Sequence, residues 1–268
     1  MEEIGVPAGV DPTVPSVARM YDYYLGGKDN FAADRAAADK IIEILPNVGD
    51  IARENRAFLV RTVTHLAGLG VRQFLDIGAG LPTRRNVHEV AQEAAPGSRV
   101  VYVDNDPIVL AHARAILAEN ADVIALDADM RDPAALLAHP GIRAHLDFSR
   151  PVAILMLGVL HFVPDDAEAS AIAGTFRAAL TPGGYLVVSH GSLGELTEEQ
   201  EKEGRSVIGR TSVPGATSRT PAQVLSFFDG LDVLDPGVVP LQDWRPEDRA
   251  PFHEPGQAGA VGGVGRMP

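Results

Sequence analysis

The chain has 268 residues, 46% of them apolar, a formal charge of −13 and no cysteine. That length holds one large domain or two small ones, and the missing cysteine excludes disulfides, thiolate metal sites and thiol nucleophiles. So acidic a surface disfavours nucleic-acid backbones and anionic lipid headgroups, and no apolar run reaches the ~18 residues of a membrane span.

Met1-Glu-Glu-Ile lacks the basic-then-apolar start of a secretory signal, so a cytoplasmic location is expected. A small-molecule partner is expected, with neither nucleic acid nor membrane. The Arg84-Arg85 pair reads as a solvated helix start. Oligomeric state leaves no sequence signal here.

Residues 1–15 carry Pro7, Pro12 and Pro15 and read as irregular. Ser16 is placed to cap a helix over Val17 to Leu25, which Gly26-Gly27 ends. Asp29 or Asn30 caps a second helix that Pro46 stops. A third runs from about Ile51 to Leu69, capped by Asp50 and closed by Gly70, with Leu59, Val63 and Leu66 on one face. After these helices the pattern alternates. Gln73 to Ile77 reads as a strand, Asn86 to Ala94 as a helix with Glu89 at its third position, and Arg99 to Val103 as a strand. Asp106-Pro107 and Asp132-Pro133 open helices on either side of a strand over Val123 to Leu126. Val152 to Leu157 is apolar throughout, as the buried centre of a parallel sheet requires. A helix over Ala167 to Leu180, a turn at Thr181 to Gly184 and a strand over Tyr185 to Ser189 follow. Glu195 to Arg219 interrupts the alternation and reads as a flap or a surface insertion. Thr220 caps a last helix, and Leu231 to Val239 and Gly259 to Val264 are the final strands.

Alternation of this kind predicts an open α/β sheet with helices on both faces. No linker or internal repeat divides the chain. We expect one domain over 1–268, with a helical cap over 1–70 and a Rossmann-like core over 71–268.

In such a sheet the ligand lies outside the carboxyl ends of the strands, where the strand order reverses. The first loop there reads Leu75-Asp-Ile-Gly-Ala-Gly80. Gly78 and Gly80 let a ligand approach the backbone. Asp76 would repel a dinucleotide pyrophosphate but suits the ammonium and sulfonium of S-adenosylmethionine. Thr83 stands where a dinucleotide fingerprint has its third glycine. Asp104 ends the second strand, placed to accept from ribose hydroxyls, with Asn105 beside it. Asp129 follows the third strand, where a carboxylate meets an adenine amino group, and Met130 packs on the ring; Asp127 is the competing acid.

Several segments together resemble one family. FLDIGAGLPT (Phe74 to Thr83), NVHEVAQ (Asn86 to Gln92), VVYVDNDPIVL (Val100 to Leu110) and MLGVLHFVPDD (Met156 to Asp166) are similar to the actinobacterial S-adenosylmethionine-dependent methyltransferases once described only as a domain of unknown function. So are YDYYLGGKDNFAADR (Tyr21 to Arg35), which is the most specific of these, and ARENRAFL (Ala52 to Leu59). The resemblance runs from about Ser16 to Arg266. It implies the class I methyltransferase fold, a three-layer Rossmann-like sandwich with a seven-stranded, mostly parallel sheet and a final antiparallel strand. It implies cofactor contacts at Gly78, Gly80, Asp104 and Asp129, and names no acceptor.

Methyl transfer from a sulfonium is an in-line displacement, so the protein's task is alignment and exclusion of water. His161, after the fourth strand, is the candidate general base, with packing under the adenosine as its bland alternative. His190 is a weaker candidate. Arg56 offers a planar fork to the methionyl carboxylate or a salt bridge within the cap. Tyr21, Tyr23 and Tyr24 either shape an acceptor pocket or pack in the core. The eight histidines share no metal-ligand spacing. The reading is a methyltransferase acting on a small-molecule oxygen or nitrogen acceptor. Its rivals are a binding or regulatory protein of the same fold without turnover, and an NAD-dependent oxidoreductase.

Overall fold

Three helices open the chain: α1 (Val17–Tyr24), α2 (Ala32–Ile44) and α3 (Val48–Gly68). The computed structural model describes residues 10–268 except 84, 118–119, 193, 195, 214 and 247–258. Gly26 and Gly70 end α1 and α3 with positive φ, as their sequence positions predict. Helix α1 starts at Val17 after Ser16, as expected, but its capping and the other two starts differ. The Ser16 hydroxyl caps nothing and instead donates to Asp106 at 2.6 Å. The second helix begins after Phe31, not at Asp29 or Asn30, because the Asp34 carboxylate reaches back to the Phe31 N–H at 2.7 Å. The third begins three residues before Ile51, and Asp50 lies inside it, paired with Arg53.

The alternating part follows as β1 (Gln73–Ile77), α4 (Val87–Ala94), β2 (Arg99–Asp104), α5 (Pro107–Leu117), β3 (Val123–Asp127), α6 (Pro133–Ala138), α7 (Pro140–His145), β4 (Ala153–Leu157), α8 (Asp166–Ala178) and β5 (Tyr185–Ser192). The chain then forms α9 (Glu198–Ile208), α10 (Pro221–Ser226), β6 (Asp232–Val233), β7 (Val239–Pro240) and β8 (Gly259–Arg266). Capping explains several starts. Glu89 accepts from the Asn86 N–H at 2.7 Å, Asp132 accepts from Ala135 at 3.0 Å, and Thr220 and Gln223 bond reciprocally.

The sheet order is β3-β2-β1-β4-β5-β8-β6, with β7 also on β8. β1 through β5 run parallel and β8 runs antiparallel to β5. This is the class I methyltransferase arrangement, and the order reverses between β1 and β4. Where seven strands were expected, the described residues form eight. The predicted strand over 231–239 is broken by a turn at Asp235-Pro236-Gly237, leaving two short pieces that each pair with β8.

Side-chain alternation sorts the strands onto two apolar layers. Leu75, Ile77, Val101, Ile154 and Met156 face Leu136, Ile142, Ile172, Phe176 and Phe227 on one side. Phe74, Val100, Leu155 and Val187 face Phe58, Leu59, Val63, Leu66 and Val90 on the other. Helix α3 therefore lies against the sheet, although the sequence groups it with the cap. Trp244 fills the edge of this layer, 5.5 Å edge-on from Phe58. The glycine-rich strand β8 has a packing cause: a Cβ at Gly262 would sit 2.7 Å from Leu241 and 2.9 Å from the Val188 carbonyl.

Two helices lie outside the sequence reading. α7 is a single short turn opened by Pro140. α9 occupies the predicted insertion and is almost wholly polar, with Val207 buried against Met20, Ala37 and Ala38. A cover made of α1, α2 and α9 thus joins two distant parts of the chain. The described residues contain no helix long and apolar enough to cross a membrane.

Candidate functional site

A cavity of about 250 Å³ opens at the carboxyl ends of β1, β2, β3, β4 and β5, at the switch point. Arg56, Asp76, Gly78, Gly80 and Asp104 all line it, as do Asn105, Asp129, Met130 and His161. These nine residues, which the sequence marks for cofactor or chemistry, are therefore brought to one place.

The floor is built by the loop after β1. Gly78 has φ +70°, and a Cβ there would lie 2.3 Å from Val159 Cγ1, so only glycine fits. The Gly78 and Ala79 N–H groups are held by the Val103 carbonyl at 2.8 and 3.1 Å. Gly80 also has positive φ, and the space beyond it is open. Its N–H donates to Asp104 Oδ2 at 2.9 Å, while Asp106 N–H donates to Oδ1 at 2.9 Å. One carboxylate thereby joins the loops after β1 and β2. Burial raises the Asp104 pKa, and these two N–H groups oppose the rise.

Asp76 is only 5% exposed. Burial pushes its pKa up to about 7; Arg56 pulls it down and Asp104 adds to the rise, but among the described residues no hydrogen bond to the carboxylate offsets the burial. Arg56 stands nearby on α3. Its Nη2 donates to the Arg85 carbonyl at 2.9 Å, and its Nε is buried without a hydrogen-bond partner among the described residues. Arg85 takes positive φ, 59°, and its side chain pairs with Glu93 rather than lining the cavity. Arg84, the other member of the predicted pair, lies outside the described residues. The cavity thus presents an unpaired acceptor for a cation and an unpaired donor for an anion.

At the β3 end, Asp129 is bound by the Arg131 side chain through both oxygens and by the Arg131 N–H at 2.9 Å. These bonds lower its pKa. A ligand amino group must share the carboxylate with Arg131. Asp127 closes β3 and is absent from the cavity wall.

The far wall comes from the loop after β4 and from β5. His161 sits in a 3-10 turn over Leu160–Phe162, with Nδ1 buried and unpartnered among the described residues. Burial, then His190 and Arg219, push its pKa down to about 3. An imidazole shifted this way is neutral at pH 7 and has little drive to take a proton. His190 is also shifted down, to about 4, chiefly by burial.

Sequence reasoning missed the chain of bonds that ties this wall to the cover. Ser189 Oγ donates to Asn55 Oδ1 at 2.6 Å, Asn55 Nδ2 donates to Tyr21 Oη at 3.2 Å, and Tyr21 Oη donates to the Ala52 carbonyl at 2.9 Å. Tyr21 lines the cavity, whereas Tyr23 and Tyr24 pack between α1, α2 and α9. One signal for Asn55 was available: a polar residue one helical turn before Leu59, on the stripe that faces the sheet. Two acids of the N-terminal motif hold the cover together. Buried Asp34 accepts from Arg19 and Ser16, and Asp22 accepts from Asp29 and Asn30. Lys28 is exposed and takes no part in the wall.

A family described as S-adenosyl methyltransferase matches residues 5–268. The crystal structure of a candidate methyltransferase from Thermobifida fusca YX is 41% identical, covers 99% of both chains and superposes with a TM-score of 0.90. A DUF574 family protein from Streptomyces avermitilis MA-4680 is 39% identical over 96% of this chain and 99% of its own, with a TM-score of 0.88. The N-methyltransferase NodS from Bradyrhizobium japonicum WM9, in complex with S-adenosyl-L-homocysteine, shares the fold at 14% identity and a TM-score of 0.52, over 93% of this chain and 99% of its own. A search of curated proteins finds no match.

Proposed function

The chain belongs to the S-adenosyl methyltransferase family, and from that premise we propose that it transfers the methyl group of S-adenosylmethionine to a small-molecule oxygen or nitrogen acceptor in the cytoplasm, with neither nucleic acid nor membrane as partner. One observation carries the reading of the cofactor. The Asp76 carboxylate, with no hydrogen bond from the described residues, and the Arg56 Nε, without a partner among them, lie in one cavity over a glycine loop. A zwitterionic amino acid bearing a further cation answers both needs. A pyrophosphate answers only the second and is repelled by the first.

When bound, S-adenosylmethionine supplies an electrophilic methyl on a good leaving group. The chain's own residues do the rest. In this reading Arg56 takes the methionyl carboxylate and Asp76 takes the ammonium and sulfonium charge. Gly78 and Gly80 leave room for close approach. Asp104 and Asn105 take the ribose hydroxyls, Asp129 takes the adenine amino group, and Met130 packs on the ring. The acceptor lies towards Tyr21, Asn55, Ser189 and His161, and a cavity of about 250 Å³ supports a small one. His161, neutral and weakly basic, is better suited to contact and hydrogen bonding than to general-base catalysis.

Calorimetry tests the binding half, with wild type, Asp104→Ala and NAD as control. Binding of S-adenosylmethionine that the substitution weakens is the expected result. Preference for NAD, or no binding by folded wild type, overturns it. Turnover is tested by S-adenosylhomocysteine accumulation across a panel of hydroxyl and amine acceptors. Tight binding with no turnover on any of them would favour a binding or regulatory role.

A further inference from the structure

Arg219 ends the polar insertion after β5, far in sequence from the glycine loop, yet it is only 3% exposed. Its donors are all engaged. Nε meets Asp166 at 2.9 Å, Nη1 meets the Leu160 carbonyl at 3.1 Å and His190 Nε2 at 3.0 Å, and Nη2 meets the Val163 carbonyl at 2.9 Å. The guanidinium also lies 5.6 Å from the Phe227 ring centre. Two residues earlier, the Thr217 N–H donates to the His161 carbonyl at 2.8 Å. Residues 217–219 therefore grip the loop after β4 from behind and reach β5 at His190.

The bonds at His190 leave one assignment for its proton. Nδ1 lies 2.8 Å from the Gly191 carbonyl, which only accepts, so Nδ1 carries the hydrogen. Nε2 faces a guanidinium N–H, so it is the acceptor and cannot be protonated while that contact stands. The His161 ring lies edge-on to His190, with centroids 5.6 Å apart. Both imidazoles line the cavity, whereas Arg219 does not. Asp166, 65% exposed, pairs with the arginine from the solvent side.

Building on the methyl-transfer reading, we infer that Arg219 is a positioning residue of the site: it fixes the His190 tautomer and the seat of His161, so that the far wall meets a cationic cofactor with two neutral rings. An imidazolium there would repel a sulfonium across the cavity. The arginine holds its own charge behind the wall, spread over Asp166 and backbone carbonyls, and spends its N–H groups on keeping the rings uncharged.

Nitrogen-detected NMR of the histidine rings tests this without any cofactor. His190→Phe and His161→Gln assign the signals. In wild type, His190 is expected as the Nδ1–H tautomer, unchanged between about pH 5 and 8, where a free histidine titrates. In Arg219→Met the His190 signal is expected to shift and to begin titrating at the acid end of that range, with burial still opposing protonation. Affinity for S-adenosylmethionine is then expected to fall, relative to wild type at the same pH, by roughly tenfold near pH 5 and by little near pH 8. The same ratio in Arg219→Met/His190→Phe should be flat. An Nε2–H tautomer in wild type overturns the inference, whether or not Arg219→Met folds. So does a folded Arg219→Met protein with an unchanged His190 signal and a pH-independent affinity ratio. A wild-type protein that shows the Nδ1–H tautomer but binds no cofactor sinks the methyl-transfer reading and leaves the Arg219 lock standing.

Discussion

The two sides of the cavity are built on different principles. The floor is local: Asp76, Gly78, Gly80 and Asp104 come from two consecutive strand ends, and a single carboxylate joins them. The far wall is assembled from a distance: Ser189 bonds Asn55, Asn55 bonds Tyr21, and Arg219 bonds Leu160 and Val163. A floor of this kind needs the right residues at fixed short spacings. A wall of this kind needs the whole fold in place first. The floor is where the proposal places the cofactor. The wall, built together with the cover and the insertion, is where the proposal places the acceptor.

If that contrast is right, damage to the floor is the more severe. Gly78→Ala is expected to be the worst single change. It forces φ +70° on a residue with a Cβ and drives that atom into the stiff Val159 side chain. We expect a loss of about 3 kcal/mol or more, seen as a melting temperature lowered by roughly 6–12 °C, with binding lost as well. A melting temperature within a degree of wild type would show that the loop relaxes freely. Asp104→Ala comes next. It removes the acceptor for two backbone N–H groups together with the proposed ribose contact, and a hundredfold loss of affinity, about 2.7 kcal/mol, is expected by calorimetry.

Arg56→Met tests the border between floor and wall, because α3 carries both Arg56, whose guanidinium reaches the floor, and Asn55, which bonds the wall. Folding should be little changed, since the Nη2 bond to the Arg85 carbonyl is its one hydrogen bond among the described residues. Affinity for S-adenosylmethionine should fall by roughly tenfold to thirtyfold. Affinity for a decarboxylated analogue should barely move. Equal losses for both ligands would assign Arg56 to holding α3 and the Arg85 loop in place instead.

The same contrast explains what was legible in the sequence. Strand positions, the switch point and the floor residues follow from short-range patterns: apolar runs of five, glycines two apart, an acid at a strand end. The helix starts at Phe31 and Asn47 were not legible, because Asp34 and the preceding turns override the nearest capping residue. The insertion helix α9 carries Glu198, Glu199, Glu201 and Glu203 and buries little beyond Val207, so it has no apolar stripe to reveal it. Arg219 and His190 meet only in space. His161 was legible in position and not in chemistry, since its depressed basicity comes from burial and from neighbours that the sequence does not place beside it.

The smallest expected effect is the pH dependence that Asp76 imposes, and its sign separates two consequences of one shift. The folded-state pKa is raised from 3.8 to about 7. Between those values the folded protein keeps a proton that the unfolded chain has released. Stability from this group is therefore complete below the unfolded pKa and is lost as pH rises through about 7. Binding runs the other way. A sulfonium and an ammonium favour the carboxylate, so affinity for S-adenosylmethionine should rise with pH from about 6 to 8, by no more than tenfold per unit, and level off once Asp76 is ionised. Asp76→Asn should bind more weakly at pH 8 and show a flatter profile, while gaining stability relative to wild type at that pH. Thermal melts and calorimetry across this range read both signs at once. An affinity that falls with rising pH in wild type would mean that the ligand prefers the protonated acid. That outcome would remove the cation from the floor and break the contrast between the two sides of the site.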